Sequence, residues 1–324
     1  MQVATPCPFG DSHWKATCRE TCTCRLGRDR QKRAACAIPR WRSTPLLGEG
    51  VRATWTPLPD KSRNRYRSFT YPQYGNGAML DGGILSLSRI GRIPLKAHRP
   101  IEGTPKTVTI RREADSWYVA ITCADVPVHP LPATGQETGI DMGLESFATL
   151  ANGQRICTPG YYRKAEAYLR RCARRVARRQ KGSQRRAKAA VLLAKAHQHI
   201  ANQRRDFHHQ EAAQLVRAYD SIAYEALRTA NMVKNHHLAK SISDAGWSRF
   251  LSILTFKAAS AGKRVVAVSP AYTSQRCSGC GVIVSKGLSV RWHQCPDCGT
   301  SLHRDHNAAV NILRLARQQR SRPG

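Results

Sequence analysis

The sequence predicts an α/β domain with a cysteine-rich ribbon inserted near its end, preceded by a small, basic, β-rich domain. Three observations carry this expectation. Short β-branched segments separated by Gly, Pro and Asp fill residues 61–126. Strand and helix patterns then alternate from 137 to 317. Two CxxC pairs interrupt that alternation between 273 and 302.

Taken in order, residues 1–60 hold Cys7, Cys18, Cys22, Cys24 and Cys36, with scattered Pro and Arg and no sustained periodicity. Cys7, His13, Cys18, Cys22 and Cys24 match no recognised metal-site spacing, so the stretch reads as an irregular, Cys-containing N-terminal segment. In 61–126, Ile84–Leu87, Thr107–Ile110 and Trp117–Ile121 alternate or are β-branched. Gly82-Gly83, Gly103-Thr104-Pro105 and Asp115-Ser116 punctuate them, which reads as a small antiparallel sheet or barrel. Arg and Lys residues from Arg63 to Arg112 make its surface basic. Tyr66, Phe69 and Tyr71 suit base stacking or the sheet core, and the core is the commoner use. Residues 127–136, with three Pro and Gly135, read as a linker.

From 137 the pattern changes. Thr138–Gly143 opens a strand with a tight turn, Phe147–Leu150 continues it, and Ala151-Asn152-Gly153 turns the chain back through Arg155–Cys157. A long helical stretch covers 161–218 with a break at Gly182-Ser183. Ser221–Glu225 reads as a strand, 241–262 as a helix stopped by Gly262, Arg264–Val268 as a strand and 305–317 as the final helix. Residues 318–324 read as a disordered tail.

Composition limits function. Lys plus Arg is 53 and Asp plus Glu is 21, a formal charge of +32, with a pI near 10.5. Such an excess disfavours an ordinary metabolic enzyme and points to a polyanion, DNA or RNA, because basic side chains displace counterions condensed on phosphates. A hydrophobic content of 41% argues against a wholly disordered basic chain. No apolar run approaches the roughly 18 residues of a spanning helix, so no membrane partner is expected. The opening residues lack a signal-peptide pattern, and the expectation is a cytoplasmic, nucleoid-associated prokaryotic protein. Twelve cysteines in a reducing compartment favour metal ligands or plain thiols over disulfides.

Three motifs carry chemistry. Cys277-Ser-Gly-Cys280 and Cys295-Pro-Asp-Cys298 are separated by fourteen residues. Two such knuckles set four thiolates at the corners of a tetrahedron, which suits a structural Zn²⁺ with no open position. His293 and His303 flank the site and read as surface or supporting residues rather than ligands. The second motif is a basic helix: from Arg163 to Arg205 there are fifteen Lys/Arg and one acid, Glu166. Leu169, Val176, Leu192, Leu193, Ala196 and Ile200 give it apolar stripes. Arg170, Arg171, Arg174, Arg175, Arg178, Arg179, Lys181, Arg185 and Arg186 then repel one another unless phosphates neutralise them, which marks a nucleic-acid contact. The third is a set of scarce acids at element ends, Asp141, Glu225 and Asp305. Singly each reads as a turn, strand-end or N-cap residue. Together they suit Mg²⁺, which takes hard carboxylate oxygens and shares substrate phosphate; two such ions stabilise both oxygens of an in-line phosphodiester displacement.

The stretches HRPIEGTPKTVTI, GIDMGLESFATLANG, ANQRRDF, NHHLAKSISDAGW, TSQRCSGC and HRDHNAAVNIL resemble the TnpB family, transposon-encoded RNA-guided nucleases related to the compact type V CRISPR effectors. The resemblance covers residues 62–317. It implies an RNase H-like (RuvC) nuclease domain with an inserted zinc ribbon, behind a β-barrel-like wedge domain. It implies that Asp141, Glu225 and Asp305 are the catalytic, Mg²⁺-binding carboxylates of a two-metal endonuclease. It also implies a guide RNA from the transposon end, a double-stranded DNA target and a ribbon beside the nuclease that contacts it. Members begin with a helical recognition segment that residues 1–60 do not show. The acid that members often carry two positions before the last catalytic Asp is His303 here. A catalytically silent repressor, or a decayed transposon product, is the alternative.

Overall fold

The computed structural model describes residues 67–97, 100–287 and 289–321, and the backbone of 22–26. The readings for Cys7, His13, Cys18, Cys36, Tyr66 and the rest of 1–60 lie outside the described residues. Two compact units appear, Cys18–Pro127 and Val128–Gly324.

The first unit is an antiparallel sheet of β1 (Cys22–Leu26), β2 (Ser68–Tyr71), β3 (Ala78–Asp81), β4 (Ile84–Leu87), β5 (Gly91–Lys96), β6 (Thr104–Glu113) and β7 (Ser116–Ala124). Their order is β2-β6-β7-β1-β5-β4-β3, so the sheet is open among the described residues. Gly82 and Gly83, at φ +51° and +82°, supply the two positive-φ positions of the β3–β4 hairpin turn. Leu85, Leu87, Val108, Ile110, Val119 and Ile121 form the core, and Phe69 and Tyr71 pack against it. These two aromatics serve the core.

One correction falls here. Residues 1–60 read as irregular, yet Cys22–Leu26 is a strand between β7 and β5. A five-residue strand with one β-branched residue leaves too short a pattern to detect. Its pairing partners, not its own sequence, define it.

The second unit holds β8 (Glu137–Met142), β9 (Ser146–Leu150), β10 (Arg155–Cys157), β11 (Ser221–Glu225) and β12 (Arg264–Val268), in the order β10-β9-β8-β11-β12. The first three form an antiparallel meander; β8, β11 and β12 are parallel. Phe147–Leu150, read as continuing the first strand, is thus its hairpin partner. The crossover from β10 to β11 is a helical hairpin, α1 (Tyr161–Ala177) and α2 (Gln184–Ala218), broken as expected at Gly182 and capped by the Ser183 side chain. Leu169, Ala196 and Ile200 join these two helices, with Leu193 against them. Leu192 points outward instead.

The crossover from β11 to β12 runs through α3 (Thr229–Met232), α4 (His236–Ala245) and α5 (Trp247–Ser260). The one helix read at 241–262 is therefore two, parted at Gly246, whose φ of +67° no helix continues. Ile140, Met142, Phe147 and Ile222 bury one sheet face against residues of α2 and α5 such as Leu215, Phe250 and Leu254. The opposite face carries α6 (Arg304–Ser321), through Ala223, Val268, Ile312 and Ala316. The helix continues past residue 317 to Ser321, into the expected tail: its last turn is Arg- and Gln-rich and has no breaker before Pro323.

The expected linker, 127–136, is held to the unit that follows it. Leu131 N–H bonds to Ala261, Thr134 and Gly135 N–H groups bond to the Asp220 carboxylate, and Lys263 bonds both Pro132 and Asp220. Pro removes donors from this stretch, and Leu131, Thr134 and Gly135 bind theirs to the unit it leads into.

Candidate active site and metal centre

Strand alternation decides where the acids fall. Gly139 and Asp141 share one face of β8, and Ala223 and Glu225 share the same face of β11. That face is the one α6 covers. The pairing of β8 with β11 runs to Ile140 opposite Tyr224, so Asp141 and Glu225 stand one residue beyond, at neighbouring strand ends. A Cβ at Gly139 would lie 2.1 Å from the Ala309 carbonyl oxygen and 2.7 Å from the Leu313 nitrogen. Glycine is therefore required for α6 to approach β8 this closely. That approach brings the first turn of α6, with Asp305, to the same strand ends; a Cβ at Gly143 would lie 3.8 Å from Asp305 Oδ2. All three acids predicted from the sequence come within electrostatic reach at these strand ends, while the donor atoms packed closest around Asp305 are those of Glu145 and His303.

Their electrostatics are those of a crowded, buried cluster. Burial pushes the Asp141 carboxyl well above its usual range, and the charges of Glu225 and Asp305 push it further, against Arg304. Glu225 is 7% exposed, and burial raises it too, opposed by the Thr273 hydroxyl that donates to its Oε1. Beside Asp305, the Glu145 carboxylate and His303 imidazole bring a donor atom each, all three within 4.8 Å of one another. Burial, and then Arg155, hold His303 below the usual imidazole value, which favours the neutral ring.

The cysteines form a second cluster. Sγ atoms of Cys277, Cys280, Cys295 and Cys298 lie within 4.8 Å of one another, with Cys277–Cys298 and Cys280–Cys295 at 3.6 Å. A tetrahedron with metal–sulfur bonds of about 2.3 Å has edges of about 3.8 Å, so the donors fit one zinc-sized ion. The Gly279 N–H donates to Cys277 Sγ at 3.3 Å. β13 (Trp292–Gln294) and β14 (Ser301–His303) pair antiparallel below it. His293 is fully buried there and bonded to Lys286 through Nδ1, not at the surface.

Residues that the motif reading passed over tie the clusters together. On α6, Asn307 Nδ2 donates to Arg276 O, and Asn307 Oδ1 accepts the Ser278 N–H. Asn311 Nδ2 donates to Thr273 O at 2.9 Å and Arg276 O at 2.6 Å. Arg314 donates to Ser278 O, and Arg304 to Gly287 O and Ser274 Oγ. One polar stripe of α6 thus holds the first cysteine knuckle and, through Thr273, the Glu225 side chain. Two Asn at i, i+4 among Ala308, Ala309 and Ile312 were the available signal.

The basic residues divide. Arg171, Arg174, Arg175, Arg178 and Arg179 line one open recess at the end of α1. Lys181 and Arg185 are exposed beside it in sequence. Arg170 pairs with Glu166 at 3.2 Å. Arg186 donates to Val176 O and Arg179 O, so it caps the carbonyls that end α1.

With this geometry in view, the chain's similarities to known proteins fall in one class, that of a transposase family model and of RNA-guided DNA endonucleases. Residues 118–236 match the OrfB_IS605 family, described as "Probable transposase", and residues 247–312 match the "Cas12f1-like, TNB domain". A Streptomyces pristinaespiralis protein named "Putative RNA-guided DNA endonuclease" is 37% identical over 78% of this chain and 64% of its own length. An Escherichia coli K12 protein, "Putative RNA-guided DNA endonuclease InsQ", is 31% identical over 78% of this chain and 67% of its own. The chain belongs to the TnpB family. It spans about two thirds of the length of these two relatives, and 45% of a mimivirus "TnpB-like protein L770" at 28% identity. Among solved structures, a Cas12f1–sgRNA–target DNA complex is similar with a TM-score of 0.41 and 15% identity, over 68% of this chain and 57% of that one. No helix among the described residues is long and apolar enough to cross a membrane.

Proposed function

We propose that this chain is an RNA-guided, divalent-metal-dependent DNA endonuclease of a transposable element. Its nuclease domain, 137–317, is RNase H-like (RuvC), with a zinc ribbon at 273–302; the β-rich unit ahead of it is wedge-like. The observation that carries the reading is the convergence of Asp141, Glu225 and Asp305 on one sheet face, at the ends of parallel β8 and β11 beside the start of α6. The strand order, an antiparallel meander extended by two parallel strands, is that expected of the RNase H-like class. The names of the relatives support the activity.

The donor set fits the metal. Three carboxylates crowded with one nearby Arg leave uncompensated negative charge, and hard oxygens suit Mg²⁺. Bound there, divalent cations stabilise charge developing on a phosphodiester and acidify water. Asp141, Glu225 and Asp305 would hold them, and Glu145 and His303, whose donor atoms lie within 4.8 Å of that of Asp305, would add ligands on that side. Thr273 orients Glu225 by its hydroxyl. The four thiolates close a structural Zn²⁺ site. The Arg recess on α1, with Lys181 and Arg185, contacts a phosphate backbone; sequence is read by pairing to the guide RNA.

The test is cleavage of a guide-matched plasmid with Mg²⁺ and with EDTA. Wild type cuts only with metal. Asp141→Ala, Glu225→Gln and Asp305→Asn fall to background while binding RNA as wild type does, and double variants are little worse than single ones. A wild-type chain that binds its target without cutting it establishes the repressor reading instead.

A further inference from the structure

The outward side of the ribbon hairpin breaks its own pattern. In β13, His293 faces inward at 0% exposure, and Trp292 and Gln294 face outward. Alternation calls for polar residues at outward positions, and Gln294 conforms. Trp292 does not: the largest side chain in the hairpin is 54% exposed. It contributes little to the core, so its identity there has another source.

Its surroundings indicate what that source is. Trp292 pairs across the hairpin with His303, and the two rings meet edge to face at 6.2 Å and 86°. His303 Nδ1 lies 3.8 Å from Asp305 Oδ2. The indole is thus one ring removed from a carboxylate of the active site. Its Nε1–H donates to Ser301 Oγ at 2.6 Å, which fixes the ring before any ligand arrives and lowers the entropic cost of contact. Arg291, its neighbour, has a side chain 58% exposed and reaches Glu145 at 3.7 Å, so a cation borders the indole on the same edge of the site.

We propose that Trp292 is a stacking platform for an unpaired nucleobase of the DNA strand whose phosphate lies at Asp141, Glu225 and Asp305. An exposed aromatic face is complementary to a base face of any sequence, and bases within a duplex have no free face to offer it. Trp292 is then a positioning residue: it holds the strand so that a backbone phosphate stays at the carboxylates, and it selects single-stranded over paired substrate. The location of that phosphate rests on the nuclease reading; the stacking itself is measured without cleavage.

The experiment uses the full chain carrying Asp141→Ala, with single-stranded oligodeoxynucleotides bearing 2-aminopurine at successive positions. Binding should quench the probe at one register and leave it bright in a duplex of the same sequence. Trp292→Ala should abolish that quenching and weaken single-strand binding about 5- to 150-fold. Trp292→Phe should restore much of both. Zinc content reports whether the ribbon is intact. If the Ala variant loses its metal, the comparison of Trp292→Phe with Trp292→Leu decides, since Leu fills space without a stacking face. Equal quenching and affinity in parent and Ala variants, or in Phe and Leu variants, overturns the proposal, as does equal quenching by duplex. A chain that never cuts DNA yet shows Trp292-dependent quenching overturns the nuclease reading alone. A chain that cuts with no such quenching overturns this one alone.

Discussion

The four thiols and the three carboxylates lie in one unit of the protein, and they are assembled in opposite ways. Cys277, Cys280, Cys295 and Cys298 come from a single short segment. Among the described residues of 273–302 the buried ones are Thr273, Cys277, His293 and Cys295, so two of the four are proposed metal ligands. This segment has almost no apolar core, and the proposed Zn²⁺ would take that place. Asp141, Glu225 and Asp305 come from β8, β11 and α6, and a buried core of aromatic and aliphatic residues sets those elements without any ion. Metal should therefore fold the first site and merely occupy the second.

The largest expected effect breaks the thiol side. Cys295→Ser removes a ligand from a site whose apparent Zn²⁺ binding energy is on the order of 10–16 kcal/mol at neutral pH. The ribbon should lose its zinc and its amide-exchange protection while β8–β12 keep theirs, as metal analysis and hydrogen exchange will read. Removing Mg²⁺ should change protection in neither. Full retention of zinc and protection in the variant would mean that the ribbon folds without its metal.

Gly139→Ala strikes the carboxylate side without touching an acid. The added methyl would meet backbone atoms of Ala309 and Leu313 that cannot swing aside, so α6 must move off β8. Overpacking of this kind costs about 1–3 kcal/mol. The melting temperature should fall and cleavage should drop sharply, since Asp305 rides on α6, with one zinc per chain retained. Unchanged cleavage would show that the site tolerates displacement of the helix.

The same contrast explains what was legible in the sequence. Spacing reveals the thiols because their geometry is local. The acids were legible as scarce charges at element ends, but their meeting depends on a crossover of some sixty residues between β10 and β11, which only topology supplies. Gly139 read as part of a turn motif; its role as a contact surface for a helix distant in sequence left no local trace. Asn307, Asn311 and Arg314 were hidden for the same reason, because their partners are backbone carbonyls and amides, which carry no residue identity. β1 was missed because its pairing partners lie far along the chain. Trp117, Val119 and Ile121, in contrast, showed their strand directly by alternation.

Asn311→Ala tests the link between the two sites. Asn311 donates to Thr273 O and Arg276 O, and Thr273 in turn donates to Glu225. Arg276 O keeps the Asn307 donor, but the Thr273 carbonyl loses its own, and a buried carbonyl left without a donor costs about 1–3 kcal/mol. Stability should fall within that range and cleavage should fall with it, although no ligand is altered. Loss of stability with full cleavage would mean that the Glu225 position does not depend on this chain of bonds.

The smallest effect is a pH dependence that belongs to the carboxylates alone. Asp141 has an ordinary carboxyl value of 3.8 when unfolded and is held well above it in the folded protein, first by burial and then by Glu225 and Asp305. The folded state therefore binds this proton more tightly than the unfolded state. Its contribution favours folding at low pH and is lost as pH rises from about 4 through the raised folded value, with a slope of at most about 1.4 kcal/mol per pH unit. Glu137, held low by Arg317 and Arg320, contributes with the opposite sign, as does Asp220, held low by Lys263. The total curve thus mixes both, and the difference between parent and Asp141→Asn isolates one. Melting temperatures taken in Mg²⁺-free buffer should show the variant gaining on the parent as pH rises from 4. Added Mg²⁺ should close that gap, because the ion binds the folded carboxylates in competition with the proton. Parallel curves for parent and variant would show that Asp141 is not electrostatically strained, and that the folded core holds the three acids apart rather than together.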